Sequence, residues 1–409
     1  MAHQERRSPR RYDMDWLRVI FVCGLIMIHV AAMFDPFPIT AVKGRPSFPL
    51  IVFATFLHEW RLAILFIVSG AGSYFALGFL NGRQFVKMRF RRIVVPLIVG
   101  TFLIVPIQLY YWQFYNNPTY GRTYIQFYLT IMYRFFVRGL FGTSRETLHW
   151  AHLWFLAYLF VASIVALPLL LYLRRGKGQE WIPKLAAFVE KPWAIFLFSL
   201  PLVLVEVTMR ARWTSARVII VDDLATFTLN LILFIYGFTI FSNDRIRRAI
   251  EAHRWSALVG GILTSAVYLI ITFVFRWPAK GYNLNWSLFM VLRATSVWFW
   301  CVAVLGFGSK YLDFNHKKLA YLNEAVYPVY VLHLPLATII AYHVVRWPMP
   351  SLLQFTIIVI LTIAAALLLF EMIRRTTITR FLFGLKKKKP KPVQTPATET
   401  VVATAAPPA

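Results

Sequence analysis

Acidic residues are scarce in this chain: 17 Asp and Glu stand against 44 Lys and Arg, a formal net charge of +27. Charge of either sign is thin, at 15% of 409 residues, where soluble domains carry about 25%. With 59% hydrophobic residues and a mean hydropathy of +0.60, that deficit excludes a soluble globular fold. Cysteine is rarer still. Cys23 and Cys301 both fall in apolar runs, which excludes a disulfide scaffold and a thiolate metal cluster. The chain also lacks an internal repeat and any hydrophilic stretch long enough for a catalytic domain outside the membrane. Chemistry therefore has to be done inside a helix bundle or at its mouths.

What the chain has is long apolar runs. Lengths of roughly 17 to 25 residues cross a bilayer, and ten candidate spans fall near 16–34, 50–79, 93–115, 150–173, 193–208, 221–241, 255–275, 287–309, 320–345 and 351–373. The expected fold is an all-α polytopic membrane helix bundle. The first run follows Arg6, Arg7, Arg10 and Arg11 and has no small-residue cleavage site, so it reads as a retained helix. The fifth span is short, and the second is long enough to be tilted or broken around Ser69-Gly70-Ala71-Gly72. Segment 124–141, interrupted by Arg134 and Arg138, reads as an interfacial or re-entrant helix. Alternate loops hold 29 and 12 basic residues, which puts both termini on the cytoplasmic side. The excess positive charge then reports topology and contact with anionic lipid, and no nucleic acid partner is expected. Residues 1–15 read as a basic cytoplasmic N-terminus and 376–409, with Lys386 to Lys389, as a basic disordered tail.

Ionisable residues inside the spans mark pathways or reaction sites, because they are costly in hydrocarbon. Arg18 and His29 are eleven residues apart on the first span, nearly three turns, so both project from one face about 16 Å apart. Alternatively, Arg18 snorkels to headgroups and His29 bridges helices. His58, Glu59, Arg61, His152, Glu206 and Arg293 fall in outer halves, and His333 lies mid-span. On the cytoplasmic side Lys87, Arg89, Arg91 and Arg92 crowd the loop before the third span. Positive-inside bias accounts for part of this cluster. With Arg18 it also forms an anion clamp suited to a phosphate-rich cytosolic cofactor.

Five motifs in order carry a resemblance. They are Arg18 to His29, Arg61-Leu-Ala-Ile-Leu-Phe66-Ile-Val-Ser69-Gly70, the basic Arg89/Arg91/Arg92 run with Pro96, His152-Leu-Trp154-Phe155-Leu156, and Glu324-Ala-Val-Tyr327-Pro328-Val-Tyr330-Val-Leu-His333. Over residues 12 to 375 the chain resembles the integral-membrane acyltransferase type 3 family. Ser69 to Tyr74 with His152 to Leu156 is most similar to its glucan-biosynthesis branch, associated with succinylation of periplasmic glucans. The branch acylating lipopolysaccharide often has a Glu after the fourth-span Trp, where this chain has Ala157-Tyr158-Leu159-Phe160.

The resemblance implies transfer of a succinyl or acetyl group from cytosolic acyl-CoA to a hydroxyl of an outer glucan, polysaccharide or glycolipid, in the inner membrane of a bacterium and with no metal. Arg18, Arg89, Arg91 and Arg92 would hold the nucleotide phosphates. His29, an imidazole largely neutral near pH 7, would be the general base. Arg61 or His333 would stabilise the oxyanion, and Tyr327 or Tyr330 would orient donor or sugar. His58, His152, Trp154 and Arg293 complete the expected substrate contacts, with Arg61 or Arg293 available to a succinyl carboxylate. Ser69 reads as a close-packing residue rather than a nucleophile. A transporter or flippase, or a non-catalytic scaffold of an envelope-assembly complex, would also place charges at depth.

Overall fold

The computed structural model describes residues 11–36, 42–117, 119–138, 148–213 and 220–386. Among these the chain is helical throughout, without a strand. Nine helices are long and apolar enough to cross a bilayer. In chain order the helices are α1 (Tyr12–Phe34), α2 (Phe48–Ala76), α3 (Gly82–Asn116), α4 (Tyr124–Arg138), α5 (Ala151–Arg174), α6 (Trp181–Val189) and α7 (Ala194–Met209). They continue with α8 (Val221–Ser242), α9 (Asp244–Ala252), α10 (Arg254–Phe275), α11 (Leu284–Tyr311), α12 (Leu319–Val344), α13 (Ser351–Ile373) and α14 (Thr377–Leu382).

The short helix α7 occupies the fifth expected span. At 1.5 Å per residue it is about 24 Å long, less than a bilayer's hydrocarbon thickness of about 30 Å. Its entrance is fixed by Trp298 on α11, whose indole N–H donates to the Ile195 carbonyl at 2.8 Å. Helix α4 has 15 residues and presents Ile125, Leu129, Tyr133 and Phe136 outward, the apolar face of a helix lying in an interface.

Three expectations about local structure change. The second span does not break at Ser69 to Gly72; α2 runs unbroken, and its glycine serves a close crossing with α8. A Cβ on Gly70 would lie 1.9 Å from the Phe234 carbonyl oxygen, and one on Gly237 would lie 1.9 Å from that of Ile67. The bare backbones touch there, as the close-packing reading of Ser69-Gly70 required. Gly237→Val is therefore expected to cost about 3 kcal/mol from overpacking and to remove most folded protein, read as loss of the monodisperse peak in detergent size exclusion.

The basic run before the third span is helix rather than loop. Asn81 and Gln84 form a reciprocal capping box that starts α3 at Gly82. Two π turns, Phe90–Val94 and Gly100–Ile104, let it pass Pro96 and Pro106 without ending.

Both boundaries outside the bundle also shift. The first helix begins at Tyr12, because Asp13 and Asp15 are buried and paired rather than part of a solvated tail; Arg11 binds Asp13 at 2.7 Å. Beyond the last span, Thr377–Leu382 is helical and Leu385 is buried, so the expected disordered tail is ordered as far as Lys386. The rest of that expectation, 387–409, lies outside the described residues, as do residues 1–10 of the N-terminus.

Helices α1, α2 and α12 form the centre of the bundle, with α1 packed on both the others. Helices α10 and α13 are its most exposed spans, turning Val259, Leu263, Ile270, Leu353, Ile360 and Leu368 outward. In lipid this apolar exterior is the solvated state.

Candidate active site

A cavity of about 860 Å³ opens at the end of the bundle where α1 begins, between α1, α2, α3, α5 and α12. Its chemistry changes with depth. Arg11, Arg18, Arg89, Arg92 and Lys386 contribute cations against two carboxylates, Asp15 and Glu324. Farther in, Val22, Leu65, Val68 and Phe155 supply an apolar wall, and Tyr327 and Tyr330 also line the space.

The cations are held from behind. Arg18 pairs with Asp15 at 3.3 Å, and Asp15 accepts from Asn323 Nδ2 at 2.9 Å. Arg89 donates to the Ser69 carbonyl at 3.2 Å and to Ser73 Oγ, and its guanidinium carbon lies 5.1 Å from the Phe85 ring centroid. Arg92 makes no hydrogen bond or salt bridge among the described residues. Helical phase explains the selection: Arg89 and Arg92 are three apart and share a face, whereas Arg91 is turned away. Arg91 sits 5.1 Å from the Phe381 ring instead and does not line the cavity.

Glu324, Tyr327, Tyr330 and His333 recur every third residue along α12, so they follow one slowly turning stripe. The Tyr327 hydroxyl is buried without a hydrogen-bond partner among the described residues. The Tyr330 hydroxyl donates to the His152 carbonyl at 2.7 Å. Immediately beyond, three imidazoles from α1, α5 and α12 gather. His29 and His333 have ring centroids 5.3 Å apart, and His152 and His333 5.2 Å.

Backbone partners settle two tautomers. His333 Nδ1 lies 2.5 Å from the Tyr330 carbonyl and His152 Nε2 lies 3.0 Å from the Val331 carbonyl. A carbonyl only accepts, so these nitrogens carry the protons and His333 Nε2 and His152 Nδ1 are left with lone pairs. Neither has a hydrogen-bond partner among the described residues. While the ring is neutral, His333 Nε2 accepts rather than donates; from that nitrogen only a protonated ring would donate to an oxyanion. His333 is fully buried and His29 half-buried, so His29 is the more accessible ring. Arg61 is buried on α2, near enough for its charge to act on His333. His152 follows Ala151, whose φ of 43° lies in the left-handed region; that strain, of order 1 kcal/mol, marks a turn that fixes where the ring enters.

Other expected contacts lie elsewhere. Arg293 is held in an ion network outside the cavity lining, 2.8 Å from Glu206 and 3.5 Å from Glu59, and Glu206 in turn binds Arg210 at 2.7 Å. An arginine already facing two buried carboxylates is a poor counter-ion for a substrate carboxylate. Trp154 packs edge-on against Tyr158 with centroids 5.0 Å apart, and neither it nor His58 lines the cavity. Glu324 and Lys386 were missed as site residues, although Glu324 begins the α12 motif and Lys386 begins the lysine run.

The family comparison decides what this arrangement belongs to: residues 11–371 match the acyltransferase domain family. The chain belongs to that family. This membrane acyltransferase is 22% identical over 388 residues to glucans biosynthesis protein C of Salmonella heidelberg (strain SL476), covering 93% of this chain and 96% of that protein. The same-named protein of Salmonella gallinarum (strain 287/91 / NCTC 13346) is 22% identical over 389 residues, with the same coverage. No solved structure matches the acyltransferase.

Proposed function

We propose that this acyltransferase takes an acyl group from cytosolic acyl-CoA and passes it to a hydroxyl of a glucan or related glycan on the outer face of a bacterial inner membrane. One observation carries the reading: a cation-rimmed cavity, at the end of the bundle that the basic-residue bias assigns to the cytoplasm, reaches Tyr330, next to the imidazole cluster. The glucan acceptor rests on the names of the relatives.

In this reading Arg18, Arg89 and Arg92 hold the donor's phosphates, and the apolar wall takes its uncharged arm. The acceptor oxygen attacks the thioester carbonyl carbon while His29 removes the hydroxyl proton, forming a tetrahedral oxyanion. Buried Arg61 offsets that charge. Collapse breaks the carbon–sulfur bond, and the imidazolium returns the proton to the departing thiolate. His333 Nε2 and His152 Nδ1, buried in the same cluster, would offer acceptors to the imidazolium as it forms.

Purified protein incubated with acetyl-CoA and succinyl-CoA in parallel, with free thiol read by a colorimetric reagent, tests this. Arg18→Ala is expected to raise the donor KM roughly tenfold with little change in kcat, as for a lost contact made equally in ground and transition states. Absence of binding and turnover with both donors would overturn the short-acyl-CoA reading.

A further inference from the structure

After α13 the chain folds back across the mouth of the cavity. Thr376 caps α14, accepting from the Thr379 amide at 3.2 Å, and two residues past the helix's last residue, Leu382, the chain turns at Gly384 with φ of 69°. One side chain ties this segment together. Arg380 is 6% exposed. Its guanidinium donates to the Lys386 carbonyl at 2.6 and 2.9 Å, to the Arg374 carbonyl at 3.3 Å and to Glu324 Oε1 at 2.6 Å. Both ends of the segment are thus fastened to each other and to α12.

The second fastening is to the basic helix. A Cβ on Gly384 would lie 2.8 Å from the Arg92 carbonyl oxygen and 3.0 Å from Pro96 Cγ. Only glycine fits this contact, and only glycine adopts its φ without strain. Arg91, which the cavity does not use, lies over Phe381 from the same side. Gly384, Leu385 and Lys386 then form part of the cavity lining.

The charges give this closure a purpose. Glu324 would repel a phosphate-bearing guest, but it faces Arg380 at 2.6 Å and Arg374 at 3.9 Å. Lys386, meanwhile, adds a cation to the rim. We propose that Thr376–Lys386 is the closing wall of the donor site, a strap through which Arg380 masks Glu324 and Lys386 binds the donor's phosphates. The inference deepens the acyl-CoA reading and rests on it for the ligand, whereas the closure rests on the packing alone. Arg380 is a positioning residue; Lys386 is a binding residue.

Two measurements separate these claims. In the full-length protein, equilibrium binding of coenzyme A is expected to weaken about fivefold in Lys386→Ala and more than tenfold in Arg380→Ala, with Lys386→Arg restoring parent affinity. Independently, in a chain with Cys23 and Cys301 replaced by Ala, a cysteine introduced at the cavity-lining position Ala76 is expected to react slowly with a charged maleimide from the cytoplasmic side. Arg380→Ala should speed that reaction several-fold while the size-exclusion profile stays unchanged. Parent-like coenzyme A affinity in both variants would overturn the phosphate role. Unchanged maleimide reactivity in Arg380→Ala would overturn the strap. If the parent itself binds no coenzyme A, the donor reading fails, and the maleimide rates still decide the closure.

Discussion

His29→Ala is expected to lose acyl transfer by about a thousandfold, while its coenzyme A affinity stays within twofold of the parent. General-base catalysis by a positioned imidazole contributes roughly 10²–10⁴, and His29 is the half-buried ring of the cluster, beside fully buried His333. It does not line the cationic rim, so donor binding survives its removal. Thiol release and radiolabelled acyl transfer to an added glucan check the rate; isothermal titration checks affinity. Full turnover by a well-folded His29→Ala protein would exclude the base assignment.

Arg293→Met is expected to remove most folded protein, through an electrostatic fault. The side chains of Glu206 and Glu59 are both buried, and Arg293 approaches each of them. Replacing one member of a buried ion pair typically costs about 3–5 kcal/mol, because the remaining charge loses its compensation in low dielectric. The double variant Arg293→Met with Glu59→Gln should recover part of the yield, since it removes one of the stranded carboxylates, and Arg210 still holds Glu206. Thermal unfolding in detergent, followed by size exclusion, gives the comparison. A normally stable Arg293→Met protein with a raised succinyl-CoA KM would instead return Arg293 to substrate recognition.

The spans were legible because lipid makes a blunt demand, about 20 apolar residues per crossing, and positions such as 351–373 satisfy it without interruption. The cations of the cavity rim were legible for two reasons: Arg18 is costly inside an apolar span, and Arg89 belongs to a crowd of cations just before the third span. Sorting Arg91 from its neighbours was not, since that needs the helical phase of a run that looked like a loop until Asn81 capped it. The π turns hide more, as each adds a residue to a turn and shifts any straight reading of helix faces by about 100°. Arg293 looked available because Glu206 is 87 residues away in sequence. The strap was illegible for the same reason: Gly384 is explained only by Arg92 lying beneath it.

The complete burial of His333 carries a further consequence for the cell. In the proposed reaction, with donor and acceptor arriving from opposite sides of the membrane, the protein would have to remain an insulator between them, or turnover would leak ions. Val30, Met33 and Phe34 on α1 and His333 on α12 all have zero exposure, and the His333 ring presents a lone pair rather than a charge. On the proposed reading, the same buried residues that close off the imidazole cluster would also seal the two sides of the membrane from each other.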